Sequence, residues 1–131
     1  MGLDNSIEIK RTPYTDSISE LRQFNLDWDN KHEYDFSVCY WRKCWNIRNG
    51  ILDILGDRFS DQWRLHLNTE NIDKIIAFLK SLNKHNWNDD GGSIWTWEEY
   101  KNHIKDDIKK LKMLRKLMKQ YDLKVVFIDS Y

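Results

Sequence analysis

Tyr40-Trp41-Arg42-Lys43-Cys44-Trp45-Asn46-Ile47-Arg48-Asn49-Gly50-Ile51-Leu52-Asp53-Ile54-Leu55 is the stretch on which the reading of this chain turns. Wound at about 100° per residue, it places Trp41, Cys44, Trp45, Ile47, Ile51, Leu52, Ile54 and Leu55 on one half of a helix. Arg42, Lys43, Asn46, Asn49 and Asp53 take the other half, the pattern of a helix that faces a core. One residue breaks it. With Trp41 at zero, Arg48 falls at about 340°, between Leu52 at about 20° and Leu55 at about 320°. A guanidinium inside an apolar stripe needs a carboxylate, a backbone acceptor or an anionic ligand.

Working outward, Ser6–Lys10 alternates polar and apolar residues and reads as a short strand, which Pro13 closes off. Ser17–Phe24 spaces Ile18, Leu21 and Phe24 as a short helix, and Asn25–Glu33 reads as a surface loop. Gly56 supplies the left-handed conformation that ends the central helix. Trp63–Leu67 alternates as a second strand. Thr69 is a fitting cap for a helix from Glu70 to Leu82, whose stripe Ile72, Ile75, Ile76, Phe78, Leu79 and Leu82 has no polar intruder. Asn83–Ser93 is turn-rich. Thr96-Trp97-Glu98-Glu99 has the form of a capping box opening the longest helix, roughly Trp97–Tyr121. Leu123–Ile128 is the strongest strand signal, with Ile7–Ile9 its natural neighbour. Together these predict one α+β domain over residues 1–131: three main helices packed on a small sheet that pairs the N-terminal and C-terminal strands.

Composition narrows the function. The 131 residues carry 21 basic and 21 acidic side chains, so no global field draws the protein to nucleic acid or an anionic membrane, and neither partner is expected. No apolar run is long enough to span a bilayer, and no cationic segment followed by an apolar run marks a signal peptide. Cys39 and Cys44, five positions apart, would point about 140° apart on one helix, which suits reduced thiols and a cytoplasmic protein. The chain lacks Gly-x-Ser-x-Gly, Gly-x-x-x-x-Gly-Lys and His-Glu-x-x-His, and its four histidines have no metal-ligand spacing. No catalytic set, metal site or cofactor is expected, and the reading is of a protein that is not an enzyme.

Three features carry the candidate chemistry. Asp107 falls at about 280° when Trp97 is zero, close to Tyr100 at about 300°, so each long helix holds one charge in its apolar stripe. The favoured reading pairs Arg48 with Asp107 as a buried bridge; the other turns Arg48 toward an anionic ligand. Arg42 and Lys43 near a helix N-terminus are unfavourable to the helix alone and are explained by an anion, with an aromatic neighbour to stack on a base. Trp95, after Gly91-Gly92 and before the Thr96 cap, reads as a hydrophobic staple or as a lid. Tyr40, Trp41, Arg42, Lys43, Arg48 and Trp95 are therefore the expected ligand-binding residues. The seven Trp, six Tyr and five Phe are enough to line a pocket or anchor an interface.

Met1-Gly2-Leu3-Asp4 opening into a strand, then Tyr40-Trp41-Arg42-Lys43 followed by Asn46-Ile47, resembles a set of small phage- and prophage-encoded proteins. They too finish in an aromatic strand, as Phe127–Tyr131 does. The resemblance covers both ends and the central helix, but not Tyr14–Asp35 or His85–Ser93. It implies a mobile-element protein in the cytosol of a bacterial host. Small non-enzymatic phage proteins often neutralise host defence by sequestering its nucleotide signal or by binding a defence protein. The leading expectation is thus a non-catalytic protein that sequesters a small anionic ligand, a nucleotide, in a pocket completed by a second copy as a homo-oligomer. The alternative is a protein–protein inhibitor of a host protein, anchored by Trp28, Trp87 and Trp95.

Overall fold

A computed structural model describes residues 4–28, 34–56, 64–89 and 94–130. Its centre is β1 (Asp4–Ile9), hydrogen-bonded on both sides, with every residue from Asn5 to Ile9 buried. On one side lies β5 (Val125–Ser130), antiparallel, with Ile7 opposite Phe127 and Ile9 opposite Val125. This is the expected pairing of the two chain ends. On the other side lies β3 (Tyr34–Arg42), also antiparallel, with β2 (Asn25–Trp28) beyond it. The strand β4 (Arg64–Leu67) completes the far edge against β5, so the described strands run β2-β3-β1-β5-β4. Trp63, expected to open β4, lies outside the described residues.

Helices cover one face of this sheet. α2 (Trp45–Leu55) buries Ile47, Ile51 and Leu52, and Gly56 ends it at φ 69. α3 (Thr69–Ser81) buries Ile72, Ile75, Ile76 and Leu79. Its cap is Asn68 and not Thr69: the Asn68 and Asn71 side chains each accept the other's backbone N–H, at 2.8 and 2.9 Å. Phe78 of α3 lies over Gly50 of α2, where a methyl group would fall 2.0 Å from the ring, so the two helices approach closely at a residue without a side chain. The expected long helix is two. α4 (Trp97–Tyr100) opens with the Thr96–Glu99 capping box, and α5 (Ile104–Gln120) follows after a turn over Lys101–His103. One buried cluster joins Ile7, Trp41, Leu65 and Phe127 of the sheet to Ile51, Ile75, Leu111 and Leu114 of the helices. The α+β reading, with three main helices on a sheet pairing the chain ends, is what the structure shows.

Four local expectations are corrected. The central helix begins at Trp45, because Tyr40, Trp41 and Arg42 belong to β3 and Lys43 breaks the chain direction at φ 47. A run of Phe36-Ser37-Val38-Cys39-Tyr40-Trp41 fits a pleated surface, and pairing with β1 overrides the helical spacing of Trp41, Cys44 and Trp45. Asn25–Trp28 is a strand rather than a loop. Ser17–Phe24 holds a single 3-10 turn at Ser19–Gln23, and Pro13 starts a helical turn, α1 (Pro13–Asp16), capped by Thr12. Cys39 therefore lies on β3 and Cys44 caps α2, both buried and reduced.

Candidate functional site

Strand geometry splits the Tyr-Trp-Arg-Lys motif. Successive side chains on β3 point to opposite faces, so Trp41 goes into the core while Tyr40 and Arg42 go out. Trp41 is 3% exposed. Its indole N–H donates to Asp107 Oδ2 at 3.0 Å, and the Tyr100 hydroxyl donates to the same oxygen at 2.7 Å. Two donors on one buried carboxylate hold β3, α4 and α5 together. Burial raises the Asp107 pKa above its ordinary value, and the bonds from Tyr100 and Trp41 offset only part of that shift. Burial and the neighbouring Asp107 raise Tyr100 and Cys39 as well, so neither is poised to ionise as a nucleophile.

Arg48 does not meet Asp107. Its Nε and Nη2 donate to the two oxygens of Asp129, at 2.8 and 2.9 Å, a bidentate bridge between α2 and β5. Asn5 of β1 donates to Asp129 Oδ1 at 2.7 Å, and the guanidinium lies 5.0 Å from the centre of the Trp45 ring. The expected bridge is thus real in kind and wrong in partner. Asp129 shares the face of Val125 and Phe127 by simple alternation along β5, a signal in the sequence once the strand is carried past Ile128.

What remains of the six residues lies at the surface around the β3–α2 junction. Tyr40 is 52% exposed, its hydroxyl donating to Asp4 Oδ1 at 2.7 Å. Arg42 and Lys43 are exposed. The Lys43 carbonyl accepts the Ile94 N–H at 2.9 Å, which brings the segment of the 49% exposed Ile94 and half-buried Trp95 to Lys43. The expected constellation is therefore divided: Trp41 and Arg48 serve the core, while Lys43 and the Ile94–Trp95 segment meet.

The junction is braced from below. The Asn46 side chain exchanges hydrogen bonds with the Asn88 backbone at 2.9 and 3.0 Å, and Asp89 accepts the Trp97 N–H at 2.9 Å. Trp87, 5% exposed, stacks on Tyr100 at 4.9 Å, and its indole donates to the Trp95 carbonyl. Trp95 stacks on His103 at 4.4 Å and tilts against Tyr100, the residue four positions into α4. That is the hydrophobic staple. Gly91-Gly92, the hinge of the alternative lid reading, lies outside the described residues. Of the expected interface anchors, Trp87 is inside, Trp95 half inside, and Trp28 falls on β2.

The face of the sheet away from the helices holds a buried polar row, made by the polar half of the Ser6–Lys10 alternation and by Asp35. Ser6 and Glu8 are each 5% exposed and hydrogen-bonded to one another. Asp35, 4% exposed, accepts the Arg11 N–H at 3.1 Å and faces Arg64 at 3.9 Å. A central strand flanked by an apolar partner such as Val125–Ile128 is the signal that both its faces are covered. Among the described residues no three His, Cys, Asp or Glu side chains group as a metal site, and no helix is long and apolar enough to cross a membrane. A scan against protein-family models and searches of curated proteins and of solved structures find no match to this chain.

Proposed function

We propose that the chain is a non-catalytic binding protein that acts by occupying a partner protein, with the β3–α2 junction as its contact surface. One observation carries this reading. The Lys43–Ile94 backbone bond joins exposed Lys43, which follows exposed Arg42, to a segment that carries an exposed aliphatic side chain and a half-buried indole. Aromatic anchors and Arg are enriched at interface centres, with Lys suited to the polar rim around them. Trp41 and Arg48 face the core network, which weakens the case for an enclosed nucleotide pocket built from all six residues. The resemblance to phage-encoded proteins makes a bacterial defence protein, in the host cytosol, the partner class to test. Wild type and an Arg42→Glu/Lys43→Glu/Ile94→Ser variant are immobilised and offered host extract, and a protein held only by wild type is purified and titrated by calorimetry. A binary complex formed by wild type and lost in an equally stable variant is expected. Equal binding by both proteins, or no binary complex, overturns the reading.

A second reading keeps the small anionic ligand. It rests on the Lys43–Ile94 backbone bond, which brings the segment carrying half-buried Trp95 to the exposed Lys43. A homo-oligomer would complete such a site, and native followed by denaturing mass spectrometry decides it: the first gives the assembly, the second releases any bound nucleotide. Arg42→Ala/Lys43→Ala would then lose the nucleotide without a change in melting temperature.

A further inference from the structure

Charge is unevenly placed in this neutral chain. Seven of its 21 basic residues and only two of its 21 acidic ones lie in α5, so the remainder is net acidic. Within α5, Lys105, Lys109, Lys112 and Lys116 recur at intervals of four, three and four, inside an arc of about 60° and over about 16 Å of helix. Ile108 and Met113 border this stripe, each about 40° beyond it. All four lysines are exposed, and none makes an ion pair with a described residue, whereas Lys110 pairs with Asp106 and Arg115 with Asp73. The six residues line a groove of about 540 Å³ with Ile108 and Met113 only half buried.

We propose that this groove docks an acidic amphipathic helix of a partner protein. The argument is complementarity of charge and spacing. Carboxylates at the same four-three-four interval on an antiparallel helix meet the four ammonium groups, and its apolar residues cover Ile108 and Met113. A nucleic-acid backbone fits less well. The arc of the stripe holds no Ser, Thr, Asn or Arg to bind phosphate oxygens, Arg115 lying about 60° outside it and paired with Asp73, and its apolar borders would stay wet. A bilayer also fits less well, since two half-buried residues give little apolar area to insert. The groove uses no residue of the β3–α2 junction, and the inference stands or falls separately from the function proposed there.

The test is fluorescence anisotropy on the full chain with a labelled helical peptide of about 18 residues. The peptide carries Glu at the four-three-four interval and Leu between. Three competitors accompany it: a scrambled peptide of the same composition, a DNA duplex of similar charge, and phosphatidylserine vesicles. The patterned peptide is expected to bind at least about tenfold more tightly than the scrambled one, and more weakly as salt rises. Lys109→Gln/Lys112→Gln should weaken it about tenfold or more with the far-UV spectrum unchanged. Lys110→Gln, outside the stripe, should leave affinity within about twofold. Equal binding of the scrambled peptide, tighter binding of duplex or vesicles, or indifference to the double substitution overturns the proposal. Absence of any peptide binding does so too.

Discussion

Asp129→Ala tests the core network most directly. Arg48 is 6% exposed and would lose two charge-assisted bonds, of 2.8 and 2.9 Å, while Asn5 would lose its 2.7 Å acceptor. Stripping one partner from a buried ion pair costs about 3–5 kcal/mol, and an orphaned buried amide about 1–3. Because the groups share one site, the two do not add in full; about 4–6 kcal/mol is expected. That is a large share of the roughly 5–15 kcal/mol by which domains are stable. The specific reading comes from two double-mutant cycles, measured by urea unfolding with tryptophan fluorescence at neutral pH. Arg48→Ala with Asp129→Ala should show a coupling of about 2–3 kcal/mol, and Arg48→Ala with Asp107→Ala less than about 0.5. The first coupling should survive high salt, since the pair is shielded from the solvent. Arg48→Met/Asp129→Leu, which removes both charges and keeps bulk, should recover most of the loss. A larger coupling to Asp107 than to Asp129 would refute the network described here.

Two further predictions concern neighbouring contacts. Burial raises the folded Asp107 pKa above the unfolded 3.8, so its contribution is fully present below that value and is lost as pH rises through the folded one. Asp107→Asn, which keeps an acceptor for Trp41 and Tyr100 without the charge, should match or exceed wild-type stability at neutral pH and lose that advantage toward about pH 3. Asp107→Ala should cost about 2–4 kcal/mol at either pH; unfolding curves across that range check both. At Gly50 helix propensity favours alanine by about 1 kcal/mol, but the added methyl would fall 2.0 Å from the Phe78 ring, and overpacking costs about 1–3. A net loss that Phe78→Leu relieves is expected in thermal melts, and a stabilising Gly50→Ala would show that the α2–α3 contact is not close.

Legibility followed the range of the signal. The α3 stripe, the Gly56 stop, the Thr96 box and the pairing of Ile7–Ile9 with the C-terminal strand are encoded by spacing or turn chemistry within a few residues, and all are found. β3 was not legible as a strand. Its last residues satisfy the helical period of the next element, and the break between them is made by a lysine at φ 47, where no Gly or Asn marks it. The α4–α5 break was hidden for a related reason. Tyr100 and Asp107 lie on one helical face in sequence, yet about 10.5 Å apart along a straight axis, and the turn at Lys101–His103 accommodates a 2.7 Å bond between them.

The same distinction governs the partner of Arg48. A helical wheel compares charges on helices, and by that comparison Asp107 was the only acid inside an opposing stripe. The wheel gives no weight to a carboxylate on a strand, where a period of two places Asp129 beneath α2 and beside Asn5. Two buried acids then divide the work: Asp129 answers the guanidinium, and Asp107 gathers an indole and a phenol. This division decides what the surface can do. Once Trp41 and Arg48 face the core network, an activity assigned to the Tyr40–Lys43 motif rests on Tyr40 and Arg42, which β3 presents away from Trp41, and on exposed Lys43 just after the strand. Substitutions at Trp41 or Arg48 should therefore register first as lost stability, and only those at Arg42 and Lys43 can report on binding in a protein that remains folded.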